Sequence, residues 1–370
     1  MDRYRRQTRK KRQTKKAQRE SIIGILFLVV VLAVIVTACI VLSAGNREKE
    51  PVQPSLNDPE ASDNLTKDEQ SEKPAQTTAS IVTAENNLPE IVPAYSIPEE
   101  IYSEAALCIR RSDKKAMVAL NEDERLYPAS ITKVMTVVVA LEIIDDWDAT
   151  VTLPREMFAE LLRQNASVAG FVEGEKVKAI DLVYAEMLPS GADGSIGLAF
   201  LISGSEDEYV KLMNEKAAEL GMTNSHFANV TGLHNEQTYS TARDIVTLFD
   251  YALKNETFRQ IISNSTYTTS STNKHPGGLT MSSTVYSAFR SVTTDYDYIL
   301  GGKTGYTEEA GQTLVTLAKI NGEEYILVTL GAGNGAQKPK YSAMDAVTIY
   351  SMIEDATSAS GGTQDTDMAA

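Results

Sequence analysis

The stretch Tyr127-Pro128-Ala129-Ser130-Ile131-Thr132-Lys133 opens a strongly apolar run that reaches Ile144. Residues three apart on a helix are neighbours, so a helix starting at Ser130 carries Ser130 and Lys133 on one face. A serine hydroxyl is a weak nucleophile until a base takes its proton. A lysine that faces a pocket instead of water can lose its own proton and act as that base. The pattern S-x-x-K is short, and it recurs at Ser112…Lys115 and Ser271…Lys274. Only at Ser130 does a proline-bounded turn lead into an apolar helix, where a rigid element would aim the hydroxyl. Taken alone, Ser130 reads better as a helix cap and Lys133 as a surface lysine.

The rest of the chain gives that stretch a setting. The 370 residues allow one or two domains with large cores. The formal net charge of −15 is unevenly spread. The first 20 residues carry ten Lys/Arg against Asp2 and Glu20, which leaves 25 basic and 48 acidic residues beyond them. An acidic body argues against a nucleic-acid partner, whose affinity comes from phosphate neutralisation. Ile22 to Leu42 follow the basic run without one charge, the length of a membrane-spanning helix. The positive flank places the N-terminus in the cytoplasm and the remainder outside the cell. A cleaved signal sequence competes with the anchor, and Val36-Thr37-Ala38-Cys39 resembles a lipoprotein cleavage box, although Ile40-Val41-Leu42 prolong the apolar run past it. The expected plan is a basic cytoplasmic segment (1–21), a transmembrane anchor or signal sequence (22–43), a disordered acidic, Pro-rich linker (44–98), a globular domain (99–354) and a disordered tail (355–370). Residues 46–98 hold seven of the twelve prolines and little apolar periodicity, too little to offset ordering entropy. Ser62-Asp63-Asn64 falls there, where nothing would position it.

Within the globular part, Ala105–Ile109 and Ala116–Leu120 read as strands joined by a polar turn. Ile180–Leu188, Glu206–Leu220 and Thr241–Leu253 read as helices, with Gly221 as a stop and Ser240 or Thr241 as a cap. Gln312–Ile320 and Glu324–Gly331 flank Asn321-Gly322, a strong hairpin signal. A last helix is expected over about Lys340–Ile353. Cys108 has no partner beyond Cys39 and reads as a core residue. His226, His234 and His275 lack metal-ligand spacing, and no metal or other cofactor is expected.

Two motifs follow Ser130 in order, Ser190-Gly191-Ala192-Asp193 at a helix end and Lys303-Thr304-Gly305 before the hairpin. A second hydroxyl, Ser190, can relay a proton to a leaving amine. Lys303 and Thr304 can hold a carboxylate, and Gly302 and Gly305 leave room for a substrate strand beside them. Backbone N–H groups at Ser130 and Tyr306 could stabilise an oxyanion.

S-x-x-K, S-G-x and K-T-G in that order resemble the signature of penicillin-binding proteins and serine β-lactamases. The longer contexts Tyr127–Thr136, Met187–Asp193, Leu220–Asn229, Gly232-Leu233, Ser240–Asp244 and Gly302–Thr307 are similar to the low-molecular-mass D-alanyl-D-alanine carboxypeptidases. The resemblance spans about residues 99–354. It implies an α+β, β-lactamase/transpeptidase-like fold, an antiparallel sheet flanked by helices with an all-helical subdomain. It implies removal of the terminal D-alanine from peptidoglycan stem peptides through an acyl-enzyme on Ser130. Lys133 would be the base, Ser190 the relay, and Lys303, Thr304, Gly305 and Tyr306 the substrate-binding strand. β-Lactam antibiotics should acylate Ser130 as well, and the lipid bilayer would be met through the N-terminal helix.

Three departures stand out. The family's second motif usually ends in Asn, where this chain has Ala192. The arginine that many relatives use to read the terminal carboxylate has no counterpart in Gly331–Lys340, which offers Lys338 and Lys340. The C-terminal β-rich domain and amphipathic helix of relatives are not expected here, their anchoring being left to the N-terminal helix. Ala192 leaves open a non-catalytic module that binds penicillin or muropeptide. A β-lactamase is a weaker alternative, because the glutamate-led stretch Glu160–Asn165 precedes Ser190 instead of following it.

Overall fold

A two-residue Asn-Gly turn demands positive φ at both positions, and the computed structural model has φ 50° at Asn321 and 88° at Gly322. It describes residues 88 and 90–361 apart from 334 and 336. The expected basic segment, the anchor and the linker up to residue 87 lie outside the described residues, as does 362–370. Among the described residues no helix is long and apolar enough to cross a membrane.

In chain order the elements begin with the hairpin β1 (Ala105–Arg110) and β2 (Ala116–Leu120), then a 3-10 turn (Ala129–Ile131) running into α1 (Thr132–Ile143). The helical part follows: β3 (Thr150–Thr152), α2 (Arg155–Arg163), β4 (Lys176–Lys178), α3 (Ala179–Met187), α4 (Ala192–Ser203), α5 (Glu206–Glu219), α6 (Ala242–Ala252) and α7 (Glu256–Ser263). The chain then forms β5 (Thr266–Thr268), β6 (Thr280–Ser282) and α8 (Thr284–Arg290), and ends in β7 (Ile299–Thr307), β8 (Gly311–Ile320), β9 (Glu323–Ala332) and α9 (Tyr341–Gly361).

The main sheet has the order β2-β1-β9-β8-β7, and its pairings are all antiparallel. Alternation along its strands sorts the side chains onto two buried faces. Leu107, Ile109, Ile326, Val328 and Val315 join the core under the helical part. Cys108, Tyr325, Leu327 and Leu314 join a second core with Val285 and Phe289 of α8 and Ile349, Tyr350 and Ile353 of α9. Burial raises the Cys108 thiol far above its usual range, as suits a packing residue.

Three sequence readings shift. Globular packing starts before residue 99, because Ala94 and Tyr95 donate to Ala116 O and Met117 O (both 2.9 Å) and extend the β2 edge. The last helix runs to Gly361 instead of ending at Ile353, so residues 355–361 are helical and not tail. The helix α4 was not foreseen. Its first eight residues, Ala192 to Ala199, are all buried, Asp193 and Ser195 included, so burial on every side leaves no 3.6-residue apolar stripe to betray it. Elsewhere Thr241, not Ser240, caps α6, its Oγ1 accepting from Asp244 N–H at 3.1 Å.

Candidate active site

Every residue of α1 from Thr132 to Ala140 is buried. A lysine in its first turn therefore cannot extend its amine to water. Lys133, 2 % exposed, points at Ser130 instead, with Nζ 3.1 Å from Oγ, and it also donates to Thr231 O. Ser130 itself is half-buried on the 3-10 turn. That turn is fixed from the sheet side, where Thr313 Oγ1 of β8 donates to Pro128 O at 3.0 Å. It is clamped from the other side by the loop Asn229–Leu233. Asn229 Oδ1 accepts from Gly232 N–H at 2.7 Å, and its Nδ2 donates to Leu233 O at 2.9 Å. Gly232 has φ +72°, and a Cβ there would stand 2.0 Å from Ala129 O; only glycine closes this clamp.

The second motif leaves α3 through Ser190, a non-glycine residue with φ +65°. This left-handed residue lets Gly191 N–H reach back to Ala185 O at 2.8 Å, and the chain re-enters α4 one residue later. Such a conformation costs on the order of 1–3 kcal/mol and persists where the surroundings over-determine it. They do so here through Asp193, whose carboxylate accepts from Ala169, Gly170 and Phe171 N–H at 2.7, 3.1 and 3.1 Å. Burial raises the Asp193 pKa while those four-square amide contacts pull it down.

The third motif lies on β7. Lys303 is fully buried, and its Nζ donates to Ser190 Oγ at 2.8 Å and to Thr304 O at 2.7 Å. Burial, and then repulsion from Lys133, holds its pKa well below the ordinary lysine value. Thr304 Oγ1 donates to Thr284 Oγ1 at 2.7 Å. Gly305 packs directly on the nucleophile turn, since a Cβ there would be 2.3 Å from Thr313 Oγ1 and 2.9 Å from Ser130 N. Tyr306 Oη donates to Gly335 O.

These three motifs share a cleft of about 510 Å³, whose wall includes Ser130, Lys133, Ser190, Thr304, Gly305 and Tyr306. Lys303 is the exception. It backs the wall from within and links Ser190 to β7, so the carboxylate clamp expected of it has no exposed ammonium to work with. Lys340 lines the cleft instead. Ala192 also faces it, presenting a methyl group. His234, which lacks metal-ligand spacing in the sequence, lies on the same rim, 3.7 Å from Glu309 and edge-on to Tyr127 at 4.9 Å. Gln164 and Asn165 reach the cleft wall, whereas Glu160 is engaged by Arg163 and Gln164. Among the described residues no group of three or more His, Cys, Asp or Glu is placed to hold a metal.

The electrostatics centre on Lys133. Burial lowers its pKa from 10.5 to about 8, against the opposing charges of Glu186 and then Asp193. Glu186, on α3, was not singled out in the sequence. It is fully buried, and its Oε1 accepts from Ser195 Oγ at 3.0 Å. Burial raises its pKa to about 8, opposed by Lys133 and, less strongly, Lys303. The one signal in the sequence was its position inside the apolar run Ile180–Leu188, four residues before Ser190.

Comparison with known proteins bears on this arrangement. Residues 92–334 match the family model described as D-alanyl-D-alanine carboxypeptidase, peptidase S11. The D-alanyl-D-alanine carboxypeptidase DacF of Bacillus subtilis is 31% identical over 242 residues, which cover 64% of this chain and 59% of DacF. The D-alanyl-D-alanine carboxypeptidase of Streptomyces sp. K15 is 32% identical over 217 residues, 57% of this chain and 74% of that protein. The crystal structure of the Streptomyces K15 DD-transpeptidase superposes with a TM-score of 0.62 at 29% identity, covering 70% of this chain and 98% of that one. The α+β fold, with its antiparallel sheet and flanking helices, is thus transpeptidase-like. The chain belongs to the D-alanyl-D-alanine carboxypeptidase family, peptidase S11.

Proposed function

We propose that this protein is a serine hydrolase that removes the terminal D-alanine from peptidoglycan stem peptides and is acylated by β-lactam antibiotics at the same serine. The observation that carries the reading is the 3.1 Å contact of Ser130 Oγ with a buried Lys133 amine on a cleft wall. Lys133 Nζ takes the hydroxyl proton as Ser130 Oγ attacks the penultimate D-alanine carbonyl. The Ser130 amide and the N–H of Tyr306 receive the developing oxyanion. The peptide C–N bond then breaks, and Ser190 passes the proton on to the departing D-alanine amine. Water attacks the ester by the reverse proton path and frees Ser130. Lys303 holds Ser190 in place from behind, and Thr304 with Lys340 receives the substrate carboxylate.

The reading extends to placement. We assign residues 22–43 to an uncleaved anchor with residues 1–21 cytoplasmic, and the linker to a tether that carries the domain into the wall. The length and lack of charge of Ile22–Leu42 support this.

A second reading is a module that is acylated without turnover, favoured by the Ala192 methyl in place of a polar side chain. One experiment separates them. The full-length chain and its Ser130→Ala variant are treated with fluorescent penicillin for intact-mass analysis, and D-alanine release from diacetyl-Lys-D-Ala-D-Ala is followed. An adduct that vanishes in S130A, with D-alanine release by the wild type, supports the hydrolase. Adduct without release identifies the binding module, and no adduct overturns both.

A further inference from the structure

A fully buried carboxylate with one hydrogen-bonded oxygen and one orphaned oxygen, lying behind a catalytic cleft in the field of two buried lysines, has no packing reason to be there. Glu186 is such a group. Oε1 is held by Ser195 Oγ at 3.0 Å, while Oε2 has no hydrogen-bond partner. Thr136, one turn beyond Lys133 on α1, faces the same carboxyl. Its hydroxyl, which pulls the Glu186 pKa down, donates to Val230 O at 2.8 Å, and Oε2 has no hydrogen bond of normal geometry. The charged and titratable groups acting on this region come from every neighbouring element. They are Lys133 on α1, Lys303 on β7, Tyr209 on α5 and Asp193 on α4. Lys133 and Lys303 repel one another, and Glu186 is the negative group that acts on both. On the cleft side of the same cluster Ala192 offers only a methyl.

We propose that Glu186 is a positioning residue, the buried counter-charge of the Lys133–Lys303 pair, which supplies from behind the cleft the polar support that Ala192 does not supply from within it. The inference rests on the acyl-transfer reading above. As Ser130 gives its proton to Lys133, the ammonium that forms is balanced by the Glu186 carboxylate, with no new bond to Glu186 itself. The carboxylate thereby keeps Lys133 basic enough to accept the proton, while the repulsion between the two lysines opposes their charging together.

The test is the pH profile of Ser130 acylation by fluorescent penicillin in the full-length chain, for wild type, Glu186→Gln and Glu186→Leu. Removing the opposite charge lowers the Lys133 pKa further, so the acid limb should move down by about one pH unit and the plateau rate should fall about tenfold or more. The leucine variant keeps the test alive if the amide variant does not fold, since an apolar side chain in an apolar helix removes the buried charge altogether. In the wild type, 13C-carboxyl NMR should show a glutamate titrating near pH 8 that is perturbed when Ser130 is acylated. An unchanged limb in either folded variant, or no such glutamate in the wild type, overturns the proposal, whatever happens to the melting temperature. A wild type that forms no Ser130 adduct overturns the acyl-transfer reading first and this inference with it.

Discussion

Replacing Lys133 by methionine keeps the volume of the side chain and removes the amine. The change deletes the contact with Ser130 Oγ and the bond to Thr231 O. General-base catalysis is worth about 10²–10⁴ in rate, so the acylation barrier should rise by about 2.7–5.5 kcal/mol at 1.36 kcal/mol per tenfold. The stability cost should be much smaller. Thr231 O loses a donor, which costs about 1–3 kcal/mol if nothing replaces it. Against that, a buried cation disappears, and burial already pushes Glu186 up to about 8, so its carboxyl takes a proton instead of standing unpaired. The melting temperature should therefore fall by only a few degrees while labelling slows by at least a hundredfold. The assay is time-resolved labelling by fluorescent penicillin at pH 8, with thermal unfolding measured on the same preparation. Labelling within tenfold of wild type by a folded K133M protein would show that Lys133 is not the base, and the mechanism would need another.

If Lys133 works as the free amine, as proposed, acylation should climb with pH. With its pKa lowered to about 8, about a tenth is neutral at pH 7, so the rate should fall about tenfold per unit below that limb and level off above it; a flat profile from pH 6 to 9 would contradict the assignment. Gly232→Ala places a Cβ 2.0 Å from Ala129 O at φ +72°, and should lower stability by more than about 1 kcal/mol and slow labelling at Ser130, read by denaturant unfolding and intact mass. Lys340→Met removes the lysine on the cleft wall. It should raise KM for diacetyl-Lys-D-Ala-D-Ala by about tenfold or more with kcat little changed, the pattern of lost uniform binding; an unaltered KM would move the carboxylate elsewhere.

The legible parts of the sequence were those where a local rule and the tertiary structure agree. Asn321-Gly322 carries its turn chemistry in two residues, and the spacing of Ser130 and Lys133 needs only a helix to bring them together. What stayed hidden depends on surroundings that no window of residues contains. The first two turns of α4 are buried on all sides with Asp193 and Ser195 among them, so no apolar stripe marks the helix in the sequence. Lys303 reads as a cation for substrate, yet β7 turns it inward, where its charge acts on Ser190 113 residues away in the chain. His234 reaches the cleft only because the loop after Asn229 folds back over the nucleophile turn. Glu186 was concealed for the opposite reason: Asp181 and Glu186 both interrupt the apolar run Ile180–Leu188, and an acid there says that desolvation must be offset, without saying which of the two faces a cation.

The three buried charges explain one another better than any of them stands alone. A single ammonium in this interior is costly, and two are costlier, since hydrogen bonds offset only part of the desolvation of a buried ion and an opposite charge offsets more. With one carboxylate among two lysines, the cluster can hold one ammonium without net charge, and which lysine carries it becomes the variable of the reaction. In the proposed reaction a charged Lys133 repels charge on Lys303, which favours passing the next proton outward through Ser190 Oγ, 2.8 Å from Lys303 Nζ. On this argument the hydroxyl relay and the buried acid form one device, and Ser190→Ala should lower the plateau while leaving the acid limb near pH 8 in place, whereas the Glu186 variants should move the limb as well.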